Sequence, residues 1–261
     1  MALFTDGPLS TIEVLVAYDS TVLETARNEG IDLATKLALA QEELGIELRR
    51  FFARRGVWEL ELGNVVASEA LRKCHAFRAL ALAFREASHT QLNERYRARW
   101  EEWEKAAAWA WEALLETGVG IVEKPIPRPR RLVVTKRALP AAAGTYYVKA
   151  AWVNGAGEEG SASEAAVVTT ADGEGLVVQL PDPPDGVTGW NVYVGYGENE
   201  TMKQNQEPIP PGQSWAQEAD GLREGPGPSE GQRPSYYVRI SPGPSEGSVL
   251  ADALPGLLLR G

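Results

Sequence analysis

Hydrophobic residues recur at helical spacing through the first 123 residues of the chain. Positions three or four apart lie on one side of a helix, so such a repeat predicts an apolar stripe that faces a core. The clearest stripe lies between Asp32, which suits a helix N-terminus, and Gly56, which suits a helix end. Its members are Leu33, Leu37, Ala40, Leu44, Leu48 and Phe51.

Weaker repeats of the same kind predict further helices in this region. They lie after Pro8, between Asp19 and Gly30, from about Ser68 to Ala87, and from about Thr90 to Thr117. Ser10 and Glu13 have the spacing of a capping box at the first of these helices, and Gly118 suits the end of the last. Residues 1–123 are therefore predicted to form an N-terminal helical bundle.

The hydrophobic period changes to two after residue 138. Short segments rich in Val, Tyr and Trp, such as "TYYVKAAWV" and "WNVYVGY", alternate with turn segments such as "NGAGEEG" and "PDPPDG". Alternation of this kind predicts strands with one buried face, here carrying Tyr146, Val148, Ala150 and Trp152. The predicted fold class is α+β in separate domains, with the helical bundle followed by a C-terminal antiparallel β-sandwich over residues 138–243.

Two segments outside these domains have unusual compositions. Residues 124–137 carry alternating prolines and six basic side chains, which predicts a semi-rigid spacer. The alternative is that Arg128, Arg130 and Arg131 contact an acidic partner surface or a passing phosphate backbone. Residues 244–261 are predicted to be a flexible apolar tail, and three of its leucines suggest docking into a partner: Leu254, Leu257 and Leu258.

The stretch "RWEEWEKAAAWAW", residues 99–111, holds four tryptophans. On a helical wheel, one face of this last helix carries Tyr96, Trp100, Trp103, Ala107, Trp111 and Leu114. Trp109 falls on the opposite side, where either other helices or another chain must cover it. Because Ala106 is small, it would allow a neighbouring helix to approach closely. We therefore expect Trp109 and Ala106 to lie at a partner interface.

Composition and motifs narrow the functional classes. The net charge of −10 argues against a broad grip on nucleic-acid phosphates, although DNA could still slide past the protein. The single cysteine, Cys74, and the lack of a signal peptide or long apolar run predict a soluble protein made in the cytoplasm. Neither His75 nor His89 has metal-ligand spacing, and no nucleotide-binding or nucleophile motif occurs. We predict no enzymatic activity, no cofactor and no metal.

About residues 1–127 resemble the head–tail adaptor (connector) proteins of tailed bacteriophages. The resemblance is carried by "LSTIEVLVAYDSTVLETARNEGIDLATKLALAQEELGIEL" and by "HTQLNERYRARWEEWEKAAAWAWEALLETGVGIVEKPIP", a long last helix that runs into a glycine turn and a "PIP" exit. The segment from "GTYYVKAAWV" to "GWNVYVG" resembles the immunoglobulin-like or fibronectin-type modules that are often appended to virion proteins.

The resemblance implies a structural role in the neck of a virion, after synthesis in the host cytoplasm. Family adaptors form a homo-oligomeric ring, commonly of twelve subunits, beneath the portal protein, and they offer a platform for tail or stopper proteins. DNA passes through the channel without specific binding, and no membrane is involved. Two other functions stay open at this point. One is an adhesive or carbohydrate-binding module, whose sugar site would use Trp190, Tyr193, Tyr196 and Trp215. The other is a hydrolase, for which no catalytic set can be named.

Overall fold

A computed structural model describes residues 1–90 and 94–240 of the chain, which form two compact units. The helical unit consists of Gly7–Glu123 together with residues 234–240, and the β unit consists of Met1–Asp6 together with Lys124–Arg233. Helices fill the first half of the chain and antiparallel sheets the second, which confirms the α+β class.

The helical unit contains five α-helices among the described residues. They are α1 (Ile12–Tyr18), α2 (Val22–Glu29), α3 (Leu33–Arg54), α4 (Glu69–Thr90) and α5 (Arg97–Thr117). The predicted stripe of α3 is buried along its whole length, and the Asp32 carboxylate caps the helix by accepting a hydrogen bond from Ala34 N at 3.0 Å. Gly56 follows the end of α3 with a φ of +74°, a conformation that favours glycine.

Two local predictions in this unit are wrong. Ser10 does not cap α1, which has Thr11 at its N-cap, because the Ser10 hydroxyl donates to Arg72 O instead. The last helix begins at Arg97 rather than near Thr90, because α4 continues to Thr90. Helical propensity runs through this region without a strong stop, so the sequence pattern placed the start of the last helix several residues too early.

A two-stranded antiparallel sheet completes the helical unit. Strand β1 (Val119–Ile121) follows α5 directly and pairs with β9 (Tyr236–Val238), with Val119 opposite Val238. The segment "YYVRI", which lies within the range predicted for the C-terminal domain, therefore belongs to the helical unit. The chain leaves the helical unit after residue 123, builds most of the β unit, and returns at residue 234.

The β unit contains two antiparallel sheets. One has the order β2-β5-β8 and the other the order β4-β3-β6-β7. Their strands are β2 (Val133–Ala138), β3 (Gly144–Asn154), β4 (Ala166–Thr170), β5 (Glu174–Gln179), β6 (Val187–Gly195), β7 (Met202–Lys203) and β8 (Ser214–Ala216).

The core of the β unit draws on both sheets. The predicted inward face of β3 is confirmed, since Tyr146, Val148, Ala150 and Trp152 are all buried. Trp152 lies opposite Trp190 of β6 in the four-stranded sheet. The same buried cluster includes residues of β5 from the three-stranded sheet, such as Val178.

The spacer predicted over 124–137 is largely integrated into the β unit. Its last five residues lie in β2, which pairs with β5 from Val133↔Gln179 to Ala138↔Glu174, and Ile126 is buried in the core cluster. The first six residues of the chain also belong to this unit, because the Asp6 carboxylate accepts hydrogen bonds from Arg128 N at 2.8 Å and from Ser161 Oγ at 2.6 Å. The sequence pattern did not predict β2, because "LVVTKR" lacks a clear alternation and adjoins the prolines and arginines of this segment.

Candidate interaction surfaces

The tryptophans of α5 differ sharply in their surroundings. On the face predicted to be core, Trp103 and Leu114 are buried, whereas Trp100 and Trp111 are only half-buried. The Trp103 indole Nε1–H donates to Asp19 Oδ2 at 3.2 Å. Asp19 is itself buried and also accepts two hydrogen bonds from Thr21, so it joins the turn between α1 and α2 to α5.

Trp109 lies on the solvent side of the isolated helical unit, where 56% of its surface is exposed. Lys73 Nζ of α4 lies 5.1 Å from the centre of the Trp109 ring and 5.5 Å from that of Phe77. The ring of Tyr18 of α1 meets Phe77 edge-on at 4.9 Å and is 43% exposed. Tyr18, Lys73, half-buried Ala106 and Trp109 thus form one surface with an aromatic centre, here called the Trp109 surface.

Arg128 and Arg130 line a second feature, a cleft of about 420 Å³ on the β unit. Its other walls include Asp6, Glu164 and Leu132. Arg128 pairs with Glu164 at 3.7 Å, so the cleft balances its own charge and does not select strongly for an anion. Arg131 is exposed and does not line the cleft, so the structure brings together only two of the three predicted arginines.

The sequence patterns did not predict a basic and apolar surface that lies on α3. Ile46 is 56% exposed, and Arg49 and Arg50 follow it on the solvent side of the helix. Arg49, Arg50, Arg54 and Arg55 have no acidic partner among the described residues, although the protein as a whole is acidic. The paired arginines in "LRRFFARRG" indicate such a basic surface in the sequence, whereas the apolar stripe of α3 indicates only the core face.

Several other predicted site residues lie elsewhere. Leu254, Leu257 and Leu258 fall outside the described residues. Of the four aromatics assigned to a sugar site, Trp190 and Tyr193 are buried and Trp215 is half-buried, which leaves only Tyr196 strongly exposed. The Tyr193 hydroxyl donates to the Glu159 carboxylate at 2.6 Å, so this ring anchors a loop rather than facing solvent. The predicted set of aromatics therefore does not form a sugar site.

Cys74 and His75, the two residues considered for nucleophilic chemistry, lie in the interior of the helical unit. Burial raises the pKa of the Cys74 thiol to about 12, so it is a poor nucleophile. His75 is fully buried, and its Nε2–H donates to Leu37 O at 2.9 Å. Within residues 1–90 and 94–240, no three His, Cys, Asp or Glu side chains are grouped as a metal site would require. No helix in that same part of the chain is long and apolar enough to cross a membrane.

In comparisons with protein-family models, curated proteins and solved structures, nothing matches this chain.

Proposed function

We propose that this protein is a ring-forming head–tail adaptor of a tailed bacteriophage, which joins the portal to the tail and continues the DNA channel. The observation that carries the proposal is the exposed Trp109 surface. A tryptophan with more than half its area in water, beside small Ala106 and next to the Lys73 ammonium, is typical of the centre of an interface. The resemblance of residues 1–127 to adaptors indicates that the partners at this surface are further copies of the same chain.

The charge of the chain supports the same role. A net charge of −10 on each subunit would make an assembled ring strongly negative as a whole, which disfavours adhesion of the DNA that passes through it. The portal protein and the tail or stopper proteins are the further partners in this proposal. In this role the protein is a structural component of the virion neck, commonly in twelve copies, and needs no active site.

A more specific fold for the β unit is also part of this proposal. We infer that the two sheets of the β unit form an immunoglobulin-like sandwich, since residues of both contribute to one buried cluster around Trp152 and Trp190.

Mass photometry of the purified chain with the portal protein of the same virus tests the function. The wild-type chain should form a complex whose mass corresponds to a closed ring on the portal. Trp109→Ala should weaken ring formation by about tenfold or more, as expected for the loss of a central aromatic anchor. Trp58→Ala is the matched control, because Trp58 is 79% exposed and lies in the segment between α3 and α4. A wild-type chain that stays monomeric beside the portal would contradict the proposal.

A further inference from the structure

The Trp109 surface continues along α5 into a row of charged side chains. Helix geometry places Lys105 one turn before Trp109, Glu112 about one turn after it, and Glu116 two turns after it on the same face. These three side chains are exposed, and none has an ion-pair partner among the described residues. Going from the N- to the C-terminus, the row is positive, aromatic, negative and negative.

The exposed face of α3 carries the opposite row. Glu42 lies one turn before Ile46, while Arg49 and Arg50 lie about one turn after it. All three charged side chains are exposed and have no ion-pair partner in the described part of the chain. From the N- to the C-terminus the row is therefore negative, apolar, positive and positive. We call Glu42, Ile46, Arg49 and Arg50 the Ile46 surface.

The two rows match in only one direction. With α5 and α3 parallel and Trp109 beside Ile46, Lys105 lies beside Glu42 and Glu112 beside Arg49. Glu116 then falls within one turn of Arg50, which long side chains can span. With the helices antiparallel, Lys105 would meet the arginines and Glu112 would meet Glu42, and like charges in contact are unfavourable.

The two surfaces cannot meet within one helical unit. Trp111, two positions from Trp109 and about 160° away around α5, lines a cleft with Arg50 and Arg54, so α5 turns its Trp111 side toward α3. Trp109 faces away from α3, so it can meet an Ile46 surface only in another molecule.

The direction of the helices agrees with a head-to-tail arrangement. The contacts Lys73–Trp109 and Phe84–Tyr96 show that α4 and α5 are antiparallel, and Lys36–Glu86 and Glu47–Arg78 show the same for α3 and α4. Helices α3 and α5 of one copy therefore run in the same direction, and copies related by rotation about an axis along these helices would keep that direction. Contacts of two different surfaces repeated in this way form a ring when the rotation between copies closes.

We propose that the Trp109 surface of one copy docks in parallel on the Ile46 surface of the next, with Trp109 against Ile46 and the flanking charges paired. The inference rests on the proposed ring and specifies which surfaces build it. A contact between two Trp109 surfaces with parallel α5 helices would bring the Glu112 and Glu116 side chains of both copies together, and an antiparallel one would leave the Ile46 surface uncovered.

Charge reversal tests this pairing in the full-length chain. One variant combines Glu112→Lys with Glu116→Lys, another combines Arg49→Glu with Arg50→Glu, and a third carries all four substitutions. Assembly on the portal is followed by mass photometry against protein concentration, with circular dichroism to verify the helical content. Each double variant should need at least about tenfold more protein for half-assembly, since attraction becomes repulsion. The fourfold variant should recover most of the wild-type affinity.

Glu104→Lys is the matched control, because Glu104 is exposed on α5 but points about 140° away from Trp109. It should assemble as the wild type does. Double variants that assemble normally, or a fourfold variant no better than its parents, would overturn the pairing while leaving the ring itself in place. A wild-type chain that forms no ring overturns the proposed function and the pairing together.

Discussion

Trp103 and Trp109 lie six positions apart on α5 and have opposite surroundings. Trp103 is 8% exposed and donates a hydrogen bond to the buried Asp19, whereas Trp109 is 56% exposed. Trp103→Ala should lower the free energy of unfolding by about 3–5 kcal/mol, because it leaves a cavity and removes a hydrogen bond to the buried Asp19 carboxylate. Trp109→Ala should cost less than about 1 kcal/mol in the isolated subunit. Urea unfolding of both variants measures this, and equal losses would show that Trp109 is part of the subunit core.

His75 makes stability depend on pH. Burial lowers the pKa of this side chain below its ordinary value, since the charged ring would lose its water, although the hydrogen bond to Leu37 O opposes the shift. Between that lowered pKa and about 6.5, the unfolded chain binds a proton that the native protein does not. The free energy of unfolding therefore falls as the pH drops below about 6.5, by up to about 1.4 kcal/mol per pH unit.

Replacing His75 by glutamine, which keeps an N–H donor, should remove this part of the pH dependence. His89→Gln is the control, since His89 is exposed. Urea unfolding between about pH 5 and 7.5 compares the slopes of the two variants with that of the wild type. A wild-type slope that persists in His75→Gln would assign the effect to other groups.

At the scale of elements, Gly118 controls the passage from α5 into β1. Its φ is +108°, and an added Cβ would lie 2.9 Å from both Tyr237 Cβ and Arg239 Cγ. Gly118→Ala therefore combines backbone strain with a clash against β9 and the residue after it. Gly56→Ala separates the two effects, because Gly56 has a φ of +74° but open space around it.

Thermal and urea unfolding of these glycine variants should give unequal losses. Gly56→Ala should cost about 1 kcal/mol from strain alone, and Gly118→Ala at least about twice as much. Similar losses would mean that β9 moves aside without cost, and that its pairing with β1 adds little.

The elements that sequence reasoning predicted are those with strong local patterns. The stripe of α3, its Asp32 cap and the inward face of β3 each repeat with a clear period over several residues. Strands β1, β2, β7 and β8 were missed, because they are short or, for β2, adjoin a Pro- and Arg-rich segment. Their strand state depends on partners distant in sequence, such as β9 for β1 and β5 for β2, and a local pattern cannot show those partners.

Of the candidate interface residues, some could be predicted from the sequence and others could not. The exposure of Trp109 follows from its position on the helical wheel, since the opposite face of α5 carries the core. The role of Ile46 does not follow from the helical wheel, because a single isoleucine among charged residues does not by itself indicate an interface. Only the packing of α3 on α4 shows that Ile46, Arg49 and Arg50 are left on the solvent side. In the β unit, Arg128, a predicted partner contact, forms an ion pair with Glu164 of the same unit.

At the scale of the whole molecule, the chain order makes the helical unit discontinuous. Its strand β9 is supplied only after the chain has built the β unit, and Val238 of β9 is buried. Ending the chain after residue 233 should therefore destabilise the helical unit by about 2 kcal/mol or more, from the loss of buried apolar surface and strand pairing. Ending it after residue 240 is the matched control. Far-ultraviolet circular dichroism during urea unfolding reports the helical transition, and equal midpoints for the two truncations would contradict a structural role for β9.

The central claim is that copies of this chain surround the DNA channel with the Trp109 surface covered by a neighbour. Electron cryomicroscopy of the assembled virus particle tests it most directly. The account predicts a closed ring of this chain directly below the portal, with Trp109 of each copy against α3 of the next. Density for the chain elsewhere on the particle, or a ring in which Trp109 faces open solvent, would contradict it.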